Sequence, residues 1–303
     1  MPRLRPRLLP LVTAIGPLLL GACGHRHPSG RMTYTEVASQ SEGRTLGYGL
    51  YTPPGWDGQT PLPLVVMLHG AGDDETSADR VVVTQKLDAA ITAGQVPPFL
   101  MVTPRGERGF WMNWSDGSHH YRDWVLDEVV PQVRHDMPVA EGGLHLMGVS
   151  MGGGGGMQMW LHDPSRFASA TILSAPILTE EETFDFLRRF MPRSVMERAF
   201  GSADSGNGND PYEVLATAEG LQGTQLVFGA ASRDMKPILR SNERFHAHLR
   251  ERSVPHRYFE FPGGHGWEAW SDVFPMALCH QLQSQCSMSV PESWTAEEFV
   301  DAS

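Results

Sequence analysis

The chain has 303 residues, 41% hydrophobic and 19% charged, with a formal charge of −11 at neutral pH. That supplies enough apolar material for one large buried core and is unlike the composition of a disordered chain. The acidic balance argues against a nucleic-acid binder and against polybasic docking onto anionic lipid.

Arg3, Arg5 and Arg7 open a basic N-terminal region, residues 8–20 are apolar, and Leu20-Gly21-Ala22-Cys23 closes the stretch with small residues. This is the pattern of an export signal, and its apolar run is short for a membrane span. Its end resembles a bacterial lipobox. By that resemblance residues 1–22 are a signal peptide, Cys23 is the lipidated first residue of the mature protein, and residues 23–31 are a tether. The expected location is the bacterial cell envelope, membrane-anchored. An ordinary cleaved signal, giving a secreted or periplasmic protein, and a disordered apolar tail stay open as alternatives. From Cys23 onward 21 basic side chains face 35 acidic ones, a formal charge of −14.

Residues 32–290 read as one α/β domain, followed by a C-terminal tail at 291–303. Residues 34–38 and 46–51 suit an antiparallel pair, stopped by Pro53-Pro54-Gly55. Residues 62–68 form a continuous apolar strand running into His69-Gly70-Ala71-Gly72. Residues 78–93 have helical period, 98–103 are a strand, and 121–135 an amphipathic helix. Strands at 144–149, 168–173, 226–229 and 258–261 follow. Near-unbroken apolar strands alternating with helices indicate a mostly parallel sheet covered on both faces. Residues 177–221 break the rhythm and read as an irregular excursion over the end of the sheet. Cys279 and Cys286 are the other cysteines. An oxidising compartment would favour their pairing, but on one unbroken helix they would stand about 10 Å apart, so a disulfide requires the helix to end between them.

Residues 144–152 read L-H-L-M-G-V-S-M-G, an apolar strand ending in G-x-S-x-G with a helix after it. Gly148 and Gly152 permit the sharp turn that presents the Ser150 hydroxyl, the setting of a nucleophile elbow. A serine hydroxyl is barely ionised at neutral pH and needs a base and an orienting acid. His265 lies in P-G-G-H-G-W directly after the last strand, on a loop free to swing an imidazole over a strand end. Asp234 follows the penultimate strand, giving the chain order Ser, Asp, His. Asp272 is the rival acid, and Asp204, Asp210 and Glu213 are candidates only if the excursion folds back. The oxyanion of a tetrahedral intermediate calls for backbone amides, and those of Met151 and Ala71 are the candidates. His69 is expected to brace the Ala71 loop.

These segments, M-L-H-G-A-G-D-D, G-V-S-M-G-G and P-G-G-H-G-W-E-A-W, resemble the putative-esterase branch of the α/β-hydrolases. That branch includes esterase D-type enzymes, feruloyl and xylan esterases, and antigen 85-type mycolyltransferases. Asn209-Asp210-Pro211-Tyr212 resembles the segment preceding the family's acid-bearing strand. The resemblance spans about residues 48–282 and implies an α/β-hydrolase fold with Ser150, Asp234 and His265 as triad. Two features depart from the family pattern: the extra glycines Gly153–Gly156 and the S-R-D context of the acid. Each extra glycine costs up to about 1 kcal/mol of helix stability relative to alanine, unless close packing compensates.

The glycine run has neither the Lys-Ser/Thr of a P-loop nor G-x-G-x-x-G, and no histidine spacing suggests a metal site. No cofactor or metal is expected. The expected activity is a serine carboxylic-ester hydrolase working through an acyl-enzyme. Export argues against a cytosolic glutathione thioester and favours an ester on a polysaccharide, lipid or xenobiotic. An acyltransferase or peptidase would use the same triad, and a silent binding lipoprotein would keep the fold without an activated serine. Trp111, Trp114 and Trp267 are candidate substrate-binding residues, because aromatics at the triad end of the sheet could line an acyl or aryl pocket, with roofing of the core the equal alternative.

Overall fold

Apolar runs with little polar alternation belong in strands buried on both faces, and here they assemble into one nine-stranded sheet. The computed structural model describes residues 29–202, 209–283 and 286–299. The signal segment and Cys23 lie outside them. The strands are β1 (Arg31–Ser39), β2 (Arg44–Thr52), β3 (Leu62–Leu68), β4 (Leu100–Pro104), β5 (Val139–Val149), β6 (Phe167–Leu173), β7 (Gln225–Arg233), β8 (His256–Gly264) and β9 (Thr295–Phe299). Their order is β1-β2-β4-β3-β5-β6-β7-β8-β9. The six central strands, β4 through β8 in that order, are parallel, while β1, β2 and β9 join antiparallel at the edges.

Side chains alternate across the pleat, so each strand feeds two cores. Leu64 and Val66 pack with Trp124, Trp160 and Phe245 on one face. Val65 and Met67 pack with Leu87, Val273 and Phe274 on the other. The chain passes from β3 to β4 on one side and then returns to β5 on the other side of β3. The crevice beyond the C-terminal ends of β3 and β5 is therefore the topological switch point, where open α/β sheets place their sites. Among the described residues no helix is long and apolar enough to cross a membrane.

Four expectations need amending. The helix expected at 78–93 is broken into Ser77–Arg80 and Val83–Thr92, with Val82 at φ 58° between them. Three consecutive valines, each stiff at χ1, weaken the helix where it breaks. The helix at 121–136 widens to π geometry over Trp124–Val129. Pro131 lacks an amide and its ring crowds the carbonyl four residues back, and the wider turn relieves both. The excursion is built of three helices, Glu180–Leu187, Arg193–Phe200 and Pro211–Thr217. The sheet also continues past residue 290, since Thr295–Phe299 pairs with β8 inside the expected tail. Helix Trp267–Leu282 ends between the two cysteines, and Cys279 and Cys286 are disulfide-bonded with Cα atoms 5.2 Å apart.

Candidate active site

Strand β5 delivers Ser150 to the start of helix Met151–His162 with φ 53° and ψ −120°, a strained conformation for a residue with a side chain. The turn is possible only because its flanks are bare. A Cβ on Gly148 would stand 2.2 Å from the Gly152 carbonyl oxygen, and one on Gly152 would stand 2.1 Å from the Leu68 carbonyl oxygen. Both contacts are with backbone, so nothing soft can yield. Gly152→Ala is accordingly expected to destabilise the fold by about 1–3 kcal/mol through overpacking. Thermal unfolding checks this, and a midpoint equal to that of the parent would contradict it.

The Ser150 Oγ lies 2.8 Å from His265 Nε2, and His265 Nδ1 lies 2.7 Å from Asp234 Oδ1. The three come from the C-terminal ends of β5, β7 and β8 and are far apart in sequence. The Asp234 carboxylate is fully buried, and the Met235 amide also donates to its Oδ1 at 2.7 Å. Because Asp234 accepts, His265 carries its proton on Nδ1, and the Nε2 lone pair faces the serine hydroxyl. Trp270 sets the ring from its flank, edge to face at 5.0 Å, with its own indole N–H held by Ser174 Oγ at 2.9 Å.

Ala71 and Met151 border the same cleft as Ser150 and His265. Met151 opens its helix, where the first amides have no carbonyl inside the helix to bond. The Ala71 loop is pinned from below by His69. The His69 Nδ1 donates to the Gly70 carbonyl at 2.8 Å, while Nε2 accepts from the Gly106 amide at 3.1 Å. Burial holds this imidazole below its usual pKa and keeps it neutral, as that pattern of one donor and one acceptor requires.

The rival acids are otherwise engaged. Asp272 pairs with Lys86, and Asp210 caps helix Pro211–Thr217 by accepting from the Tyr212 and Glu213 amides. Glu213 lies in the first turn of that helix. Asp204 lies outside the described residues.

The cleft has a volume of about 420 Å³. It is largely apolar, with Phe110, Phe186, Phe190, Phe200 and several methionines in its walls. None of the three expected tryptophans lines it. Trp111 is buried beneath the site, its indole N–H donating to the His69 carbonyl at 3.1 Å. Trp114 donates to the Gly109 carbonyl and lies under the Arg198 guanidinium, and Trp267 donates to Asp73. The loop after β4 turns at Phe110 and Trp111, both at positive φ, which sends Trp111 inward and leaves Phe110 and Met112 facing the cleft. The glycine run also finds its reason here. A Cβ on Gly155 would come within 2.4 Å of the Trp111 Cβ, whereas Gly154 faces the cleft. Sequence reasoning missed Trp270, Met235 and the phenylalanines of the excursion. The second Trp of G-W-E-A-W was the one visible signal.

The sequence profile of the family described as "Putative esterase" matches residues 39–280. An acetyl esterase of Caldicellulosiruptor saccharolyticus is 22% identical over 183 residues, covering 58% of this chain and 68% of that protein. Among solved structures, fluorophosphonate-binding serine hydrolase F of Staphylococcus aureus superposes with a TM-score of 0.72 at 22% identity, covering 84% of this chain and 100% of that one. A ferulic acid esterase superposes with a TM-score of 0.70 at 19% identity, covering 82% and 96%. A family match over most of the chain, joined to an α/β-hydrolase sheet, settles the assignment: the chain belongs to the putative esterase family and is a serine hydrolase acting on esters.

Proposed function

We propose that Ser150, His265 and Asp234 are the catalytic triad of a carboxylic-ester hydrolase that works through an acyl-enzyme. The continuous hydrogen-bond chain from the Ser150 hydroxyl through the imidazole to a buried carboxylate supports this reading. Ser150 Oγ attacks the ester carbonyl while its proton passes to His265 Nε2, and the carbonyl oxygen takes up the negative charge facing the Met151 and Ala71 amides. The tetrahedral intermediate collapses, the C–O bond to the alcohol breaks, and His265 returns the proton to the departing oxygen. Water then repeats the sequence on the acyl-serine, with His265 as base. Asp234 keeps the proton on Nδ1 and stabilises the imidazolium in both halves.

One relative is an acetyl esterase and one structural neighbour a ferulic acid esterase. The apolar cleft here has room for an acyl group larger than acetyl. The protein's place is proposed as the outer side of a bacterial membrane, held by lipid on Cys23. The basic N-terminal region, apolar stretch and L-G-A-C exit support this, as does a disulfide suited to an oxidising compartment. The ester would then be an envelope or extracellular one.

A fluorophosphonate probe followed by peptide mapping tests the central claim. Ser150 is expected to take up the label in folded protein and not in protein denatured before the probe is added. Labelling at any other serine, or none, would refute the assignment. Metabolic labelling with palmitate, lost in Cys23→Ser, tests the anchor.

A further inference from the structure

The loop that carries Ala71 is anchored twice, and the triad chemistry explains neither the place nor the charge of its second anchor. Gly70 to Asp73 form a four-residue turn, closed by the Asp73 amide donating to the Gly70 carbonyl at 3.3 Å, with Gly72 at φ 88° as its third residue. Ala71 and Gly72 at the tip are exposed. His69 holds the first carbonyl of the turn from beneath. The last residue is held from the side, where the Trp267 indole N–H donates to Asp73 Oδ2 at 3.0 Å. Trp267 opens the helix that follows His265 and meets Trp270 edge to face at 5.5 Å. Trp270 meets the His265 ring in the same manner at 5.0 Å. Contact is therefore continuous from the Ala71 turn through Asp73, Trp267 and Trp270 to the general base.

An acid is an odd choice for this place. A Cβ on Gly70 would lie 3.4 Å from both Asp73 Oδ2 and Ser150 Cβ, so the carboxylate and the nucleophile flank one bare Cα. A negative charge so near opposes the charge that forms on the substrate oxygen. Its presence calls for a gain that outweighs this, and the indole bond supplies one. Amides stabilise an oxyanion only if they are aimed before the charge forms, and an exposed turn tip is not aimed by itself. We propose that Asp73 and Trp267 are a pair of positioning residues that fix the Ala71 amide relative to His265. The inference rests on Ser150 being the residue acylated and on Ala71 supplying an oxyanion donor. Neither Asp73 nor Trp267 lines the cleft, so both act through the loops they join.

The test uses the full chain, p-nitrophenyl acetate, and an alkyl trifluoromethyl ketone as inhibitor. The ketone carbon bonds to Ser150 Oγ, the serine proton passes to His265, and the ketone oxygen becomes an oxyanion, so its affinity reports the amides without turnover. Rates are taken per active site, counted by fluorophosphonate titration. Asp73→Ala and Trp267→Phe are each expected to lower kcat by about ten- to hundredfold with KM little changed, and to weaken the ketone by the same factor. The double variant is expected to be no worse than either single one, because one bond cannot be lost twice. Asp73→Asn keeps an oxygen that accepts the indole N–H, and is expected to recover most of what Asp73→Ala loses. A merely structural role would lower the unfolding midpoint and leave kcat per active site and ketone affinity unmoved, which overturns the proposal. Losses that multiply in the double variant, or Asp73→Asn as damaging as Asp73→Ala, overturn it too. If Trp267→Phe fails to fold, the alanine and asparagine variants of Asp73 decide alone. If Ser150 takes the fluorophosphonate and the variants keep the parent's kcat, only this inference fails. If Ser150 of the parent is unlabelled and the acetate is not cleaved, the triad assignment fails with it.

Discussion

His265→Ala is expected to lower kcat on a short-chain p-nitrophenyl ester by about 10⁵–10⁶-fold, and Ser150→Ala by a similar factor. The imidazole is the only base in contact with the Ser150 hydroxyl among the described residues. The nearby His69 cannot replace it. Both His69 nitrogens are engaged by backbone, and burial holds that ring below its usual basicity. The double variant is expected to be little worse than either single one, because attack and proton removal are one event and cannot be lost twice. What remains over the uncatalysed rate would come from the oxyanion amides and from binding. His265→Ala also removes the ring that Trp270 meets edge to face. Thermal unfolding of the variant must therefore be recorded beside the rate. A folded His265→Ala retaining more than about 1% of kcat would move the general base elsewhere.

The parts of this site that were legible in advance share a property: their meaning is local. G-V-S-M-G fits a strand-to-helix turn because two missing Cβ atoms decide whether the turn can close, and the collisions expected at Gly148 and Gly152 are with backbone inside that same unit or one strand away. Asp234 and His265 follow from the ends of apolar strands, and apolar strands in a covered sheet announce themselves. What was misread depends on direction. Trp111 and Phe110 are neighbours of similar character, and only the positive φ values of the turn decide that one roofs His69 and the other walls the cleft. The excursion reads as irregular by apolar period although its capping signals are written out in the sequence. Thr179 and Glu182 form a capping box, and Asp210 with Pro211 supplies an N-cap and first-turn proline. Short helices with polar faces escape a search for apolar period. The break at Val82 and the π turn before Pro131 bend elements without moving the site.

Asp234→Asn is expected to lower kcat by about 10²–10³-fold, and Asp234→Ala by about 10⁴. The difference rests on one backbone contact. The Met235 amide points at Asp234 Oδ1 from 2.7 Å, and His265 Nδ1–H donates to that same atom. An asparagine placed here must keep its oxygen at this position, because its NH₂ would oppose the Met235 N–H. The amide nitrogen then takes the place of Oδ2, which is buried and has no partner among the described residues. The correct imidazole tautomer therefore survives in Asp234→Asn, and what is lost is the negative charge beside the imidazolium formed during attack. An ion pair at about 4 Å and an effective dielectric near 20 is worth about 4 kcal/mol, which is about 10³ in rate. Alanine removes the charge and the acceptor together, so the ring loses both its tautomer and its orientation. Steady-state kinetics on one ester, with both variants compared at the same pH, separates the outcomes. If asparagine is as damaging as alanine, the amide has flipped and the Met235 contact does not choose the tautomer. If asparagine costs nothing, Asp234 is not the acid. No rival candidate among the described residues is placed to take over, because Asp272 is bound to Lys86 and Asp210 to the amides of its own helix.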